Sequence, residues 1–544
     1  MIGLAKFVFV TGGVLSSLGK GIFVSSLGKL LKAGGVRANA MKIDPYLNCD
    51  AGTLNPFEHG EVFVTRDGFE CDLDLGNYER FLNMFAKREQ NLMMGTAYRN
   101  VLEKERKGEY LGKTMQLIPH VTNEIKHRIR EAARVTGAEV LVVEIGGTVG
   151  DIESETVLEA IRQIKFEEPA NSTVFAHLAL VPTIWTGEQK TKPMQHSVRA
   201  LLARGISPDV IVARTPEKHL NESARDKMAL FCNVARDCVF ASPQLDDVYA
   251  LPLSLHEQGL DAVVREKLGL SKRAPDLKEW RGLVEKGLAA KHEVRIAVVG
   301  KYAAMRDTYT SVFEALKHAG VANGVKSPGV LIDSQAIERG EIDLRGFDGV
   351  VVPGGFGERG VEGIIKSIKF AREHNVPYLG LCYGLQLAVI EYARHVLLYK
   401  DANTTENVPR TKHPVIDLLP EQKKVKDKGG TMRLGAKHVL LKKNTLAYSL
   451  YGKTEIFKRF RHRWEVNPNY VKRFERAGLV FSGRDPKKAI MKVIELPRDK
   501  HCFYIGTQYH PEFDSRLEEP EPLFNGLVAA AAAHATAAKK RVKK

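Results

Sequence analysis

"VPYLGLCYGLQLAVIEYAR", residues 376–394, predicts a short buried strand that turns sharply into a helix. The apolar residues 376–379 suit a strand, and the stretch LAVIEYAR carries apolar residues at helical spacing. Cys382 falls on the turn, between two glycines that allow the backbone to bend tightly. This is the pattern of a nucleophile elbow, in which a strand-to-helix turn presents a reactive side chain. The stretch therefore predicts an α/β unit with a thiol at a strand end.

The same alternation of strands and helices extends over the rest of the chain. Helical segments such as 115–135 separate short, nearly continuous apolar runs, at 7–10, 38–43, 140–145, 174–181 and 210–213. This favours a parallel sheet covered by helices on both faces. A charged stretch precedes a new strand-and-glycine unit that begins at residue 294. We therefore predict two doubly wound α/β domains, residues 1–272 and 294–536, with a linker at 273–293 and a basic tail at 537–544.

The composition limits the kinds of site and binding partner that this chain can have. The chain has 544 residues, a net charge of +16, 8% aromatic residues and six cysteines. Because none of the cysteines forms a C-x-x-C pair, a zinc or redox site has little support. The positive charge suits nucleotides or nucleic acid, but the lysines singled out below have no aromatic platforms among them. No apolar run reaches 18 residues, so we expect a cytoplasmic protein that binds neither membrane nor nucleic acid.

The stretch "GGVLSSLGKG", residues 12–21, predicts a phosphate-binding turn between a strand and a helix that starts near Lys20. It departs from the usual P-loop, because Val14 stands where the first glycine belongs and Gly21 replaces the hydroxyl that reaches magnesium. The metal then needs carboxylates from elsewhere, and Asp74 and Glu144 are the candidates. A plain glycine turn remains the alternative. Lys42, Lys190 and Lys192, together with Lys20, suggest a second polyphosphate at the same sheet edge.

The thiol has candidate partners near the end of the chain, in "QYHPEF". His510 is suited to take the proton of Cys382, and Glu512 to orient the imidazole. We expect both side chains on one face of an extended segment. The stretch "VVPGGFGERG", residues 351–360, is a source of backbone N–H donors for an oxyanion. These residues alone leave open whether an ester, a peptide or a side-chain amide is hydrolysed.

Taken together, these motifs resemble the CTP synthase family. The likeness runs from "FVFVTGGVLSSLGKGI" to "GTQYHPEF" and includes "MKIDPYLN", "VEIGGTVGDIES", "TGEQKTKPMQHSV" and "RHRWEVNP". The resemblance implies a P-loop-like synthetase domain of the dethiobiotin-synthetase type and a class I glutaminase domain of the flavodoxin-like type. It implies ATP-dependent amination of UTP to CTP, through a 4-phosphorylated UTP, with ammonia that glutamine hydrolysis supplies through an internal passage. It also implies Mg²⁺, activation by GTP, feedback inhibition by CTP, a homotetramer and, in some members, filaments.

The resemblance also assigns residues. Ser17, Leu18, Gly19, Lys20, Gly21, Ile22 and Asp74 match the ATP site, and Asp74 and Glu144 match the metal positions. The UTP and CTP contacts correspond to Ser16, Lys42, Asp151, Ile152, Glu153, Lys190, Thr191, Lys192, Gln195 and Lys227. Glutamine would be held by Gly355, Tyr383, Gly384, Leu385, Gln386, Glu406 and Arg463, and Arg433 lies on the GTP lid. One departure affects the glutamine pocket: the family usually reads C-L-G-M-Q, whereas this chain has Tyr383 after the cysteine.

Two other functions fit part of the pattern. One is a related two-module amidotransferase that acts on a carboxylate of a cofactor precursor. The other is a partition-type ATPase that binds nucleic acid or a polymer, although the Cys–His–Glu set would have no task there.

Overall fold

The computed structural model describes residues 5–15, 18–55, 59–301, 305–418, 422, 432–488 and 490–542, with side chains up to residue 537. Within these ranges, no helix has both the length and the apolar character needed to cross a bilayer. The chain divides into two compact units. The first unit comprises Met1–Ala51 and Asp74–Val284, and the second comprises Gly52–Leu73 and Glu285–Lys544.

The first unit is built on a parallel sheet of seven strands. The strands in this part of the chain are β1 (Lys6–Gly13), β2 (Ala38–Asp44), β5 (Asn91–Met93), β6 (Val140–Ile145), β7 (Thr173–Leu180), β8 (Val210–Thr215) and β9 (Val239–Pro243). Their order in the sheet is β5-β2-β6-β1-β7-β8-β9. The order reverses on either side of β1, and this makes the carboxyl end of β1 a switch point of the kind where open α/β sheets bind ligands.

Helices surround this sheet. They are α1 (Lys20–Ala33), α2 (Asp74–Leu82), α3 (Met94–Arg106), α4 (Thr122–Thr136), α5 (Glu155–Glu167), α6 (Lys192–Leu202), α7 (Glu222–Cys232), α8 (Leu251–Glu257) and α9 (Leu260–Lys267). Alternate strand residues such as Phe7, Phe9 and Leu141 belong to one buried apolar cluster, and a second cluster forms between α6, α7 and the far strands. Burial of both strand faces explains why the strands read as continuous apolar runs.

The second unit contains a sheet of nine strands. Its strands are β10 (Ile296–Gly300), β11 (Gly329–Asp333), β12 (Gly349–Val352), β13 (Tyr378–Leu381), β16 (Arg433–Leu441), β17 (Glu455–His462), β19 (Val480–Arg484), β20 (Met491–Glu495) and β21 (Tyr504–Thr507). The order is β11-β10-β12-β13-β21-β20-β19-β16-β17. The first five strands are parallel and, renumbered by chain order, read 2-1-3-4-5, which is the flavodoxin-like order.

Smaller elements complete the second unit. A three-stranded sheet contains β14 (Ala402–Thr404), β15 (His413–Leu418) and β18 (Trp464–Val466), and β3 (Phe63–Val64) pairs with β4 (Glu70–Cys71). The helices are α11 (Thr310–Asn323), α12 (Ser334–Glu338), α13 (Val361–Glu373), α14 (Tyr383–His395), α15 (Leu446–Tyr451), α16 (Pro468–Arg476) and α17 (Pro522–Val542). The predicted α/β class and the two doubly wound sheets are confirmed.

The domain limits predicted from the sequence stay a prediction, but two structural facts bear on them. The segment called a linker contains a regular helix, α10 (Lys278–Ala289). Residues 52–73, which come early in the chain, belong with the second unit. Arg459 donates a hydrogen bond to the Val64 carbonyl at 2.9 Å, and Arg461 pairs with Glu70 at 2.7 Å. These contacts anchor the early segment on β17.

Candidate active sites

The glycine-rich turn after β1 leads directly into α1, as predicted. Gly19 precedes the helix in the left-handed conformation, at φ 85°, which a glycine adopts without steric cost. Val14, in place of the usual first glycine, also has a positive φ of 80°. A β-branched residue is strained in this region, so the chain imposes the glycine-like backbone on a valine. Ser16 and Ser17 lie outside the described residues.

Four charged side chains converge below this turn. Lys20, only 8% exposed, donates a hydrogen bond to the Gly147 carbonyl at 2.9 Å. The Lys42 ammonium contacts Asp74 and lies 3.4 Å from Glu144 Oε1. The sheet register explains this arrangement, since Glu144 is paired with Lys42 on one side and with Val10 on the other. The structure therefore brings together four of the residues predicted for nucleotide and metal, Lys20, Lys42, Asp74 and Glu144.

The electrostatics of this cluster follow from its burial. Burial and the neighbouring Asp74 raise the pKa of Glu144 to about 7, against the effects of Lys42 and Lys20 and of a hydrogen bond from Tyr78. The Tyr78 hydroxyl donates that bond at 2.5 Å. Burial also lowers the pKa of Lys20, although Glu144 opposes this. Two cations thus share a buried space with two carboxyl groups.

Gly21 is required by the position of Asp74. A Cβ atom at residue 21 would lie 1.9 Å from Asp74 Oδ1, so the hydroxyl residue of an ordinary P-loop would fit only if the Asp74 carboxylate moved. The carboxylate takes the place from which that hydroxyl would act. The carboxylates of Asp74 and Glu144 both lie beside the Lys42 ammonium group. Carboxylate oxygens are hard ligands, and this set of donors fits Mg²⁺. Among the described residues, no group of three His, Cys, Asp or Glu gathers to bind a metal.

The residues predicted for UTP and CTP fall into two groups. Lys190, Thr191, Lys192 and Gln195 lie at the start of α6, and Lys227 lies on α7. Lys190 pairs with Glu188 at 2.7 Å, and Lys227 acts electrostatically on the same carboxylate. Gln195 donates to the Thr191 hydroxyl at 2.9 Å, while its buried Oε1 atom makes no hydrogen bond to any residue that the structure describes.

The second group, Asp151, Ile152 and Glu153, follows β6 on an exposed turn. Within the described ranges, no hydrogen bond or ion pair joins this turn to the lysines of the first group.

Cys382 occupies a strained elbow between β13 and α14. Its backbone angles, φ 50° and ψ −93°, are unusual for a residue with a side chain, and such strain is common at active sites. The flanking glycines are needed, because a Cβ atom at Gly384 would lie 2.3 Å from the Val352 carbonyl oxygen. The Cys382 N–H donates to the Thr507 carbonyl at 2.6 Å, which fixes the elbow to β21.

His510 and Glu512 form the predicted pair beside the thiol. Their side chains are hydrogen-bonded at 2.7 Å between Nδ1 and Oε1, and both residues are buried. Burial alone lowers the pKa of His510, but the Glu512 carboxylate and the Cys382 sulfur outweigh it and raise the value to about 10. Glu512 and Cys382 therefore favour the protonated form of the imidazole.

The expected extended segment is wrong, because a 3₁₀ turn occupies Pro511–Asp514. The proline at its first position favours the turn, and Glu512 reaches Nδ1 across it instead of along one strand face.

A cavity of about 540 Å³ opens at the thiol. Its wall includes the loop 353–356, Cys382, Gln386, Glu406, residues 461–464, His510, Glu512 and, from the early segment, residues 52–54, Glu61 and Val62. Of the residues predicted for glutamine, Gly355, Gln386, Glu406 and Arg463 therefore line the cavity. Tyr383, Gly384 and Leu385 are buried in the first turn of α14 and are not part of the wall.

Several residues of this site were not predicted from the sequence. Gln508 directs its amide toward Cys382 Sγ at 3.5 Å, and the Arg461 carbonyl lies 3.6 Å from the same sulfur. Gln508 lies two positions before His510, and the alternation of side chains along an extended segment could have indicated that both face the thiol.

Arg433, predicted for the GTP lid, pairs with Asp485 at 2.5 Å.

A cysteine elbow with a His–Glu pair on one α/β unit, and a phosphate turn with buried lysines and carboxylates on another, define a nucleotide-dependent glutamine amidotransferase. Comparison with known proteins supports this class of protein and identifies the family. The family model described as "CTP synthase N-terminus" matches residues 6–270. The model described as "Glutamine amidotransferase class-I" matches residues 304–530.

Curated relatives are similar over nearly the whole chain. A CTP synthase of Thermococcus kodakarensis is 54% identical over 97% of this chain and 99% of its own length. A CTP synthase of Thermus thermophilus is 51% identical over 97% of each chain. Among solved structures, the glutaminase domain of Trypanosoma brucei CTPS with bound acivicin is 35% identical, covers 44% of this chain and 94% of that chain, and has a TM-score of 0.41.

The chain belongs to the CTP synthase family. It therefore catalyses the ATP-dependent amination of UTP to CTP with nitrogen from glutamine. The family match excludes the two alternatives considered from the sequence, the amidotransferase acting on a cofactor precursor and the partition-type ATPase.

Proposed function

We propose that the two sites described above carry out the two halves of this reaction, with Cys382 generating ammonia and the Lys20 cluster activating UTP. The observation that carries the proposal is the strained Cys382 elbow facing the buried His510–Glu512 pair in one cavity. A thiol in this setting has a base, an orienting carboxylate and space for a substrate.

In the glutaminase half, His510 takes the proton of the Cys382 thiol, and the resulting thiolate attacks the side-chain carbonyl carbon of glutamine. The imidazolium of His510 gives its proton to the departing nitrogen, which leaves as ammonia, and a thioester remains. His510 then takes a proton from water, which attacks the thioester and releases glutamate. Glu512 holds the imidazole by its Nδ1 atom throughout and stabilises its cationic form. Glu406 and Arg463, both on the cavity wall, are suited to the ammonium and carboxylate of the glutamine backbone.

In the synthetase half, Leu18, Gly19, Lys20, Gly21 and Ile22 receive the ATP phosphates at the amino end of α1, with Ser17 as a further contact. Backbone N–H groups and the helix dipole favour an anion there. Lys20 and Lys42 supply positive charge close to the phosphates. Asp74 and Glu144 would hold Mg²⁺, which when bound neutralises phosphate charge.

The group at the start of α6, with Lys227 and Ser16, receives UTP, and Asp151, Ile152 and Glu153 contribute to the CTP-inhibitor site. ATP phosphorylates O4 of the uracil, and ammonia displaces that phosphate at C4.

Ammonia must reach this second site without protonation. The cavity at Cys382 is lined partly by residues 52–54, Glu61 and Val62. These residues belong to the segment 52–73, which is continuous in the chain with Ala51 and Asp74 of the synthetase unit. We propose that ammonia travels from this cavity to the synthetase unit through an internal passage. Activation by GTP through Arg433, assembly as a homotetramer, possible filaments and a cytoplasmic location are further parts of the proposal.

The test separates the two sites. Cys382→Ala should abolish CTP formation from glutamine and preserve its formation from added ammonia, whereas Lys20→Ala should abolish both. CTP is measured after incubation with ATP, UTP, Mg²⁺ and either nitrogen source. A folded Cys382→Ala enzyme that also fails with ammonia would refute the division of labour.

A further inference from the structure

Tyr383, the residue that departs from the family pattern, is tied into a buried polar network. It is 2% exposed, and its hydroxyl donates a hydrogen bond to the Gly357 carbonyl at 2.9 Å. The same hydroxyl accepts a hydrogen bond from Asn407 Nδ2 at 3.0 Å. A leucine at this position could make neither contact. The phenol thus connects α14 with the loop after β12 and the turn after β14.

Lys301 joins the network from the end of β10. Its ammonium group donates to the Phe356 carbonyl at 3.2 Å and to the Gly357 carbonyl. It also lies 4.5 Å from the centroid of the Tyr383 ring, a distance at which a cation is attracted to the aromatic face. Lys301 is 6% exposed and Asn407 is 8% exposed, so these polar groups bond to each other largely out of contact with water.

Three of these hydrogen bonds end on the carbonyl groups of one loop. The Gly357 carbonyl accepts from Tyr383 and Lys301, and the Gly357 N–H donates to Glu406 Oε1 at 3.0 Å. The preceding residues, 353–356, line the cavity. A Cβ atom at Gly354 would lie 2.8 Å from His510 Cε1 and 3.8 Å from Cys382 Cβ. Gly354 thus lies close to the imidazole and the thiol, three residues before Gly357, where these hydrogen bonds are made.

We propose that Tyr383, Asn407 and Lys301 form a lock that holds the loop 354–357 in the conformation required for glutamine. The inference rests on the proposed glutaminase site. Tyr383 acts as a positioning residue, since its hydroxyl bonds to the loop and the ring lies behind the cavity wall. Glu406 is held by the same loop, so the lock also sets the carboxylate that we assign to the glutamine ammonium group.

The test removes individual hydrogen-bonding groups from this network, beginning with the hydroxyl of Tyr383. Tyr383→Phe deletes only the hydroxyl and leaves Asn407 and Gly357 without that partner. A lost buried hydrogen bond of this kind predicts a rise in the glutamine KM of roughly 5- to 50-fold. The kcat with saturating glutamine should change less, because the thiol and its base remain in place. CTP formation from ammonia should stay within about twofold of wild type, since the lock belongs to the glutaminase site.

Two further variants make the test specific. Asn407→Ala should raise the KM in the same direction, and the double variant should be no worse than the poorer single variant, because both changes break one network. Tyr392→Phe is the matched control. Its hydroxyl, on the same helix, donates to the Ala477 carbonyl at 2.7 Å and takes no part in the cavity wall. We expect Tyr392→Phe to affect thermal stability and to leave the glutamine KM unchanged.

The proposal is overturned if Tyr383→Phe leaves the glutamine kinetics unchanged, if Tyr392→Phe raises the KM equally, or if Tyr383→Phe impairs the ammonia reaction to the same extent. Failure of the proposed function gives a different result. In that case the wild-type enzyme itself would release no glutamate from glutamine.

Discussion

Replacing Glu512 with glutamine tests whether the buried carboxylate keeps His510 protonated. The substitution retains the size of the side chain and an oxygen able to accept from Nδ1, but it removes the negative charge. Raising the pKa of an imidazole from 6.5 to about 10 corresponds to a preference for the protonated form on the order of 5 kcal/mol. Glu512 is the main source of this preference, because it opposes the burial that lowers the pKa of His510.

Loss of one partner from a buried charge pair typically costs about 3–5 kcal/mol. Glu512→Gln should therefore reduce kcat/KM for glutamine by roughly 100- to 5,000-fold, measured as glutamate release. CTP formation from ammonia serves as the internal reference and should be unaffected. Glu519→Gln, an exposed change in the same part of the chain, is the control and should leave both activities intact. Glutamine kinetics within about threefold of wild type in Glu512→Gln would refute the assigned role of the carboxylate.

Glu512→Gln should also change how the thermal stability of the enzyme depends on pH. The folded-state pKa of His510, about 10, lies above the ordinary value of 6.5. Its contribution to stability is therefore fully present below pH 6.5 and is lost as the pH rises through about 10. The difference in melting temperature between wild type and Glu512→Gln should be largest near pH 6 and should shrink toward pH 10.

Two further predictions concern the synthetase half. Gly21→Ser, which restores the ordinary P-loop hydroxyl, should abolish CTP formation from either nitrogen source, because a Cβ atom there would lie 1.9 Å from Asp74 Oδ1; activity at half the wild-type rate or more would contradict this. His177 is neutral, since burial and then Lys20 lower its pKa to about 3, and it bridges Thr11 at 2.8 Å and Ser197 at 2.7 Å. His177→Phe should cost about 2–4 kcal/mol in unfolding free energy and weaken UTP binding, with glutamate release retained; unchanged stability would rule out the bridge.

Much of the fold could be predicted because buried parallel strands have a strong local signal. The strand predicted at 140–145 is observed with those limits, and the helix expected near Lys20 begins at that residue. The prediction was less accurate for the helical segment 115–135, where regular α-helix begins only at Thr122. Ile118 has extended backbone angles, as expected for a residue before a proline.

The candidate sites were predictable only where the residue types themselves limit the chemistry. Cys382 lies more than 120 positions before His510 and Glu512, yet all three line one cavity. They were grouped from the sequence because a thiol elbow needs a base and the base needs an orienting group, and their catalytic roles stay a prediction. The geometry given for that pair was wrong, since the sequence pattern did not reveal the 3₁₀ turn. The lock of Tyr383, Lys301 and Asn407 had no local signal at all. Its members lie on three separate elements, and only tertiary packing brings them together.

Charge balance explains why one enzyme needs two differently built sites. Glutamine brings no net charge to the cavity at Cys382, so a single internal pair, His510 with Glu512, is enough to stabilise the charged thiol chemistry. In the proposed assignment ATP and UTP bring several negative charges to the cluster of Lys20, Lys42, Asp74 and Glu144, which is close to neutral without them. A triphosphate therefore needs additional positive charge, which the carboxylates are placed to recruit as a divalent cation. In the proposed mechanism only neutral ammonia passes from one site to the other, so the two sites can differ in charge and still work in sequence.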